Sequence, residues 1–181
     1  MKKKLFLLPY LIVILALVIY LFNANQLVAH LTDTNVLEKA DFKQYQPTGE
    51  GYAYVEMLEP SNDLLEHYHM IGCGFGYTSE PNEGKKTTVI FKNSKNDTCY
   101  VVTEYEPVVR QAEYDYFITT DELASASIGF DVDFSVLTMK DGYYDLYFFI
   151  QENDSCSALV ETGVQYQKRG GQLINVSEVL E

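Results

Sequence analysis

Residues 128–136 read Ile-Gly-Phe-Asp-Val-Asp-Phe-Ser-Val, and this stretch decides the fold class. Its apolar residues recur at every second position, with Gly, Asp or Ser between them. Alternate side chains of a strand point to opposite faces, so the pattern predicts a β-strand with one buried and one solvated face. Asp131 and Asp133 then belong to the solvated face, and a carboxylate pair for glycoside hydrolysis or calcium is the weaker interpretation.

Similar short apolar or alternating runs, separated by turn residues, continue on both sides of this strand. The chain has 15 Tyr and 10 Phe but no Trp, and aromatic and β-branched residues favour strands. About seven strands in this arrangement predict an all-β fold, an immunoglobulin-like antiparallel β-sandwich or a jelly roll, of which we favour the first. The six further predicted strands are residues 51–58, 70–77, 87–92, 99–105, 143–151 and 160–167.

The amino terminus carries a different signal. Residues 5–22 are 18 consecutive positions without a charge, preceded by three lysines at positions 2–4. Such a run approaches the thickness of a bilayer, and the lysines predict a cytoplasmic amino terminus. We therefore expect a single-pass signal anchor. A cleaved secretory signal is the less favoured alternative, because small-x-small cleavage sites are poor here.

The domain organisation follows from these two signals. We expect a cytoplasmic basic tip at 1–4, a transmembrane signal anchor at 5–22, a juxtamembrane linker or short helix at 23–48 and an extracytoplasmic β-sandwich at 49–181. Beyond the three lysines, ten basic residues face 26 acidic ones, a net charge of −16. A field of that sign repels phosphate backbones, so nucleic acid is not an expected partner.

The order of landmarks between residues 70 and 170 resembles a known group of domains. The landmarks are IGCGF at 71–75, aliphatic strands at 89–91 and 100–102, Arg110, Gly-Phe at 129–130, and DGYYDLY at 141–147. They are similar to the Ig-like extracytoplasmic domains that accompany bacterial cell-surface polysaccharide enzymes, especially membrane glycosyltransferases and polymerases. Cys73 stands where those domains have Trp. The resemblance implies an envelope-glycan context and supplies no catalytic residues.

Tyrosines beside carboxylates are the candidate ligand-binding residues. Exposed aromatic rings next to Asp or Glu suit sugar binding, whereas buried Tyr is ordinary core packing in a sandwich. Tyr114, Tyr116 and Tyr144, together with Arg110 from the resemblance, form the predicted ligand-binding set.

Cysteine and histidine give weaker signals. Cys99 and Cys156 are the best pair for a disulfide outside the cell, with three buried thiols as an equal alternative. His67 and His69 could share one face of an extended segment, but further ligands at suitable spacing are missing. We expect no metal site, no cofactor and no catalytic residue.

These observations predict a non-enzymatic, membrane-anchored binding or accessory protein of the bacterial envelope, acting in surface-polysaccharide assembly. Its expected partners are the membrane and either a cell-surface glycan or an envelope protein complex. The alternatives are a structural subunit of a membrane complex and, less favoured, an extracytoplasmic hydrolase, for which no nucleophile, base and orienting group can be named.

Overall fold

The structure is a computed structural model that describes residues 8–22, 35–61, 65–77, 85–104, 106–117 and 126–177. These residues contain two α-helices, one 3-10 turn and ten strands. The helices are α1 (Leu8–Phe22) and α2 (Gln111–Phe117). The strands are β1 (Asn35–Val36), β2 (Glu38–Asp41), β3 (Gly51–Ser61), β4 (His67–Gly76), β5 (Lys86–Asn93), β6 (Thr98–Glu104), β7 (Gly129–Ser135), β8 (Gly142–Gln151), β9 (Ser157–Arg169) and β10 (Gln172–Asn175).

The strands form two sheets. Sheet A has the order β1-β7-β4-β3, and sheet B has the order β10-β9-β8-β5-β6-β2. Neighbouring strands are antiparallel except β1 and β7, which are parallel. The all-β prediction is confirmed, and the seven predicted strands correspond to β3 through β9.

The main core lies between the sheets and follows the alternation read from the sequence. On β7, Phe130, Val132 and Phe134 are buried in the core, while Asp131 and Asp133 are exposed on the outer face. The inward side chains of β8 pack against them, and the rings of Phe130 and Phe148 lie 4.9 Å apart between centroids. The solvated-face interpretation of the two aspartates is therefore confirmed.

Glycines line the second half of the inner face of β4, the strand between β3 and β7. A Cβ added at Gly72 would lie 2.3 Å from Cζ of Phe130, and one at Gly74 would lie 3.0 Å from Cδ1 of Ile150. Real Cβ atoms do not approach other atoms as closely as the first of these distances. The absence of side chains at these two positions lets the large residues of β7 and β8 reach the backbone of β4, whereas Tyr68 and Met70 occupy the first half of the same face.

A buried ion pair joins the two sheets at the end of β4. Nζ of Lys85 lies 3.2 Å from Oε1 of Glu152, and both side chains are almost fully buried. Lys85 also donates a hydrogen bond to the carbonyl of Gly74, and the amide of Gly76 donates one to Oε1 of Glu152. Buried charges need such partners to offset the loss of hydration.

The described part of the predicted linker belongs to the sandwich. β1 pairs with β7 in sheet A, and β2 pairs with β6 in sheet B. Leu37, between them, is buried in the main core. A short 3-10 turn, Phe42–Gln44, follows β2 and places the ring of Phe42 5.0 Å from that of Tyr147. The segment from residue 35 to residue 48 is thus not a separate connector.

The predicted anchor, residues 5–22, is described from Leu8 onward as α1. Among the helices of the described residues, none is both long enough and apolar enough to cross a bilayer.

The glycine at position 72 yields a stability prediction. Gly72→Ala should destabilise the fold by about 1–3 kcal/mol, because the new methyl group overlaps the ring of Phe130 and the carbonyl of Tyr54. Urea unfolding of the full chain in detergent measures the change. Gly49→Ala is the matched control, since a Cβ there meets only the Ser157 carbonyl at 4.0 Å. Equal midpoints for the two variants would contradict the proposed close contact.

Candidate functional site

Helix α2 covers part of the outer face of sheet A. Cys73 and Phe75, which point outward from β4, form a second small core there with Ile128. Tyr114 and Phe117 of α2 pack against this core. A seven-residue helix is marginal by itself, so this packing is what holds it in place.

Aromatic rings extend this second core to the surface. The ring of Phe117 lies 5.1 Å from the rings of both Tyr52 and Phe75, and Tyr116 lies 5.1 Å from Phe117. Tyr77 lies 5.7 Å from Phe75. We call the set the aromatic surface; its rings are Tyr52, Tyr54, Phe75, Tyr77, Tyr116 and Phe117.

Three rings of the aromatic surface are open to solvent. Tyr116 is 73% exposed, and Tyr52 and Tyr77 are each 38% exposed. Rings with one wet and one apolar side are frequent at binding surfaces, because they supply contact area at a low cost in side-chain entropy. The aromatic surface is therefore the candidate binding site.

Arg110 joins the helix to β3 beside these rings. One terminal nitrogen lies 3.1 Å from Oε2 of Glu56, and the other lies 3.7 Å from Oε1 of Glu113. Glu56 is the extra residue of a β-bulge between Val55 and Met57, which interrupts the regular pairing of β3 with β4. Bulges redirect a side chain, and here the carboxylate meets the guanidinium.

Gly129 makes room for this arginine. A Cβ at Gly129 would lie 2.6 Å from Cγ of Arg110, so the aliphatic stem crosses the strand where a side chain is missing. The backbone amides of Val108 and Gly129 each donate a hydrogen bond of 2.9 Å to the other residue's carbonyl, which fixes the segment before the helix. Nε of Arg110 is buried and has no hydrogen-bond partner among the described residues.

The structure brings three of the four predicted ligand-binding residues together. Arg110, Tyr114 and Tyr116 lie on or next to α2, although the side chain of Tyr114 is partly buried. Tyr144 lies elsewhere: its ring is buried in the main core and its hydroxyl donates a hydrogen bond to the carbonyl of Lys140. Because solvent does not reach its ring, Tyr144 is not part of the candidate site.

Sequence reasoning missed Tyr52, Tyr77 and Glu56. The period of two in residues 51–58 and 70–77 already assigns Tyr52 and Tyr54 to one face of β3, and Phe75 and Tyr77 to one face of β4. The register of β3 and β4, which pairs Tyr52 with Phe75 and so joins these faces, is visible only in the folded structure.

The histidines take up positions on the outer face of sheet A. Nδ1 of His69 lies 2.8 Å from Oδ1 of Asp133, and its Nε2 lies 3.6 Å from Oδ1 of Asp131. In the parts of the chain that the structure describes, no group of three His, Cys, Asp or Glu side chains is arranged to hold a metal.

The predicted disulfide is not formed. All three thiols are free, with Cys99 buried against Ile90 and Val101 in sheet B. Cys156 lies in the loop between β8 and β9, where its Sγ approaches Gly76 at the end of β4. The two cysteines are thus packed in different parts of the sandwich.

A cavity of about 450 Å³ lies apart from the aromatic surface, between the end of β3 and the hairpin of β9 and β10. Glu66 lines it with a φ of 54°, and Lys168 holds the Glu66 carboxylate at 2.8 Å. None of the predicted site residues contributes to this cavity.

Comparisons with known proteins find no matching family model, no matching curated protein and no matching solved structure.

The buried thiols predict how stability depends on pH. Burial raises the pKa of the Cys73 thiol from 9.0 to about 12 and the pKa of the Cys99 thiol to about 11. Above pH 9 the unfolded chain loses protons that the folded chain keeps, so stability should fall as pH rises, by up to about 1.4 kcal/mol per pH unit for each thiol. Denaturant unfolding with reductant measures the slope.

Two variants separate the contributions of Cys73 and Cys99 to this pH dependence. Cys99→Ala should flatten the slope only between pH 9 and 11, whereas Cys73→Ala should flatten it up to about pH 12. Slopes in both variants that match the slope of the unsubstituted chain would contradict this account.

Proposed function

We propose that this chain is a membrane-anchored, non-enzymatic accessory protein of the bacterial envelope that binds surface polysaccharide through the aromatic surface. The observation that carries the proposal is the group of exposed rings of Tyr52, Tyr77 and Tyr116, in a surface whose Tyr54 interacts electrostatically with Glu56 and Glu113. A sugar ring has apolar C–H faces and polar hydroxyl edges. Aromatic faces and carboxylate acceptors complement both.

Strand order supports the proposal of an immunoglobulin-like fold. In immunoglobulin sandwiches, strands A, B and E are neighbours in one sheet, and strands C, F and G are neighbours in the other. Here β3-β4-β7 corresponds to A-B-E, and β5-β8-β9 corresponds to C-F-G. β6 next to β5 takes the place of C′, and β1, β2 and β10 are additions at the edges. The resemblance of residues 70–170 to envelope-glycan domains agrees with this assignment.

The anchor is part of the proposal because of the sequence and the exposure of α1. Residues 5–22 carry no charge, and three lysines precede them. Every large side chain from Tyr10 to Tyr20 is 41–65% exposed, on all faces of the helix. Apolar side chains on every face suit a lipid environment better than water. With the lysines inside, the sandwich lies outside the cell.

A second candidate function is a structural subunit of a membrane complex. β3 is an edge strand of 11 residues, and an open edge can accept a strand from another protein. The bulge at Glu56 and the proline at position 60 interrupt this edge, as in sheets that avoid such pairing. Polysaccharide binding is therefore the better supported role. Recovery of one dominant crosslinked protein, without glycan binding, would favour the structural role instead.

If α1 is a membrane anchor, alkaline carbonate should not extract the chain from membranes. The full chain should remain in the membrane pellet after extraction, since only the bilayer offers α1 an apolar environment. The double variant Leu15→Lys/Val18→Lys should move into the supernatant, because each central lysine costs about 2.5–3.5 kcal/mol in a bilayer. Leu137→Lys, at an exposed apolar residue of the sandwich, is the matched control and should stay in the pellet. Extraction of the unsubstituted chain would contradict the anchor.

Polysaccharide binding is tested at Tyr116. Tyr116→Ala should weaken binding to immobilised neutral polysaccharide roughly fivefold, the loss of about 1 kcal/mol of ring contact. The fold should persist, since 73% of this side chain is exposed. Tyr143→Ala removes a ring that is 44% exposed on β8, outside the aromatic surface, and should bind as the unsubstituted chain does. Equal losses for the two variants would argue against the aromatic surface as the site.

A further inference from the structure

The charges around the aromatic surface restrict which glycan can bind there. Arg110 is the only Arg or Lys in residues 51–61, 65–77 and 106–117, the segments that hold the rings. Earlier in the described stretch 35–61, Lys39 lies on β2 in sheet B and Lys43 pairs with Asp97. Acidic residues in the three segments are Glu56, Glu59, Glu106, Glu113 and Asp115, together with Glu66, which pairs with Lys168 at the separate cavity. Lys85, in the next described stretch, is buried and pairs with Glu152. Arg110 is thus the one cation in these segments that a carboxylated sugar could use.

Arg110 is already occupied by protein carboxylates. Its two terminal nitrogens face Glu56 at 3.1 Å and Glu113 at 3.7 Å, and its stem is held across Gly129. Carboxylates that pair with a guanidinium in this way cancel its charge for a third carboxylate. An anionic sugar would meet two glutamates before it reached the arginine.

We infer that Glu56 and Glu113 act as a charge filter, so that the aromatic surface binds uncharged polysaccharide and rejects polysaccharide that carries uronic acids. The inference rests on the proposed function and names the ligand class of the same site. Arg110 is then a positioning residue: it holds α2 and its rings against β3 and does not itself bind the ligand. The bulge at Glu56 is what brings the first carboxylate within reach.

The test compares neutral and acidic polymers on the full chain in detergent, at low ionic strength where surface charges are least screened. Dextran and galactan are the neutral probes, and alginate and hyaluronate are the acidic probes. The unsubstituted chain should bind a neutral probe at least about tenfold more tightly than either acidic probe, since like charges in contact cost several kcal/mol. Added salt should narrow this difference.

Glu56→Gln keeps the shape of the side chain and removes one partner charge of Arg110. It should raise affinity for the acidic probes relative to the neutral probes by roughly tenfold. Glu113→Gln is the second variant, should the first disturb the bulge. Glu59→Gln is the matched control: it removes the same charge from β3 at an exposed position that has no ion pair with Arg110.

Each outcome decides between the two proposals. Stronger binding of alginate or hyaluronate than of the neutral probes by the unsubstituted chain overturns the charge filter and leaves the proposed function standing. An equal gain in Glu56→Gln and Glu59→Gln also overturns it, because bulk charge would then explain the effect. If no polysaccharide of either kind binds, the proposed function fails and the filter fails with it.

Discussion

β4 packs closely against sheet B, and the buried ion pair and the second core both follow from this close packing. Gly72, Gly74 and Gly76 occupy alternate positions of β4 and leave the second half of its inner face without side chains, whereas Tyr68 and Met70 fill the first half. The ring of Phe130, from the neighbouring strand β7, and the side chain of Ile150, from sheet B, fill the space that this leaves. Core packing at this density tolerates no added methyl group where the new carbon would lie closer to its neighbours than van der Waals contact allows.

The same close packing makes the buried ion pair possible. Lys85 and Glu152 reach polar atoms of the β4 backbone only because no side chains stand between them. One oxygen of Glu152, Oε2, is buried and has no hydrogen-bond partner within the described part of the chain. A buried pair of this kind contributes little net stability, but the loss of one partner is costly. The pair therefore determines the relative position of the two sheets more than it adds to the free energy of unfolding.

Because side chains alternate along β4, the positions of its glycines also determine which residues lie on the outer face of sheet A. The residues between the glycines of β4 point away from the core, so Cys73 and Phe75 meet α2 and β3 there, and the ring of Tyr77 packs on Phe75. Outward residues of a sandwich are usually polar, but here a helix covers them and forms a second core. The aromatic surface is the rim of that second core, and the ion pairs of Arg110 fasten the helix to β3.

The seven central strands can be predicted from the sequence, because a period of two needs no tertiary information to indicate a half-buried strand. The sequence also predicts that Asp131 and Asp133 face solvent, and it singles out Arg110, Tyr114 and Tyr116. That β1 and β2 complete the two sheets is visible in the folded chain alone, since two to four residues are too few to show a period. The folded chain alone also shows that Tyr144 is core while Tyr52 and Tyr77 are surface, and that Cys99 and Cys156 stay apart. The physical reason is the same in each case: periodicity tells which residues share a face, whereas what covers that face depends on elements that are distant in sequence.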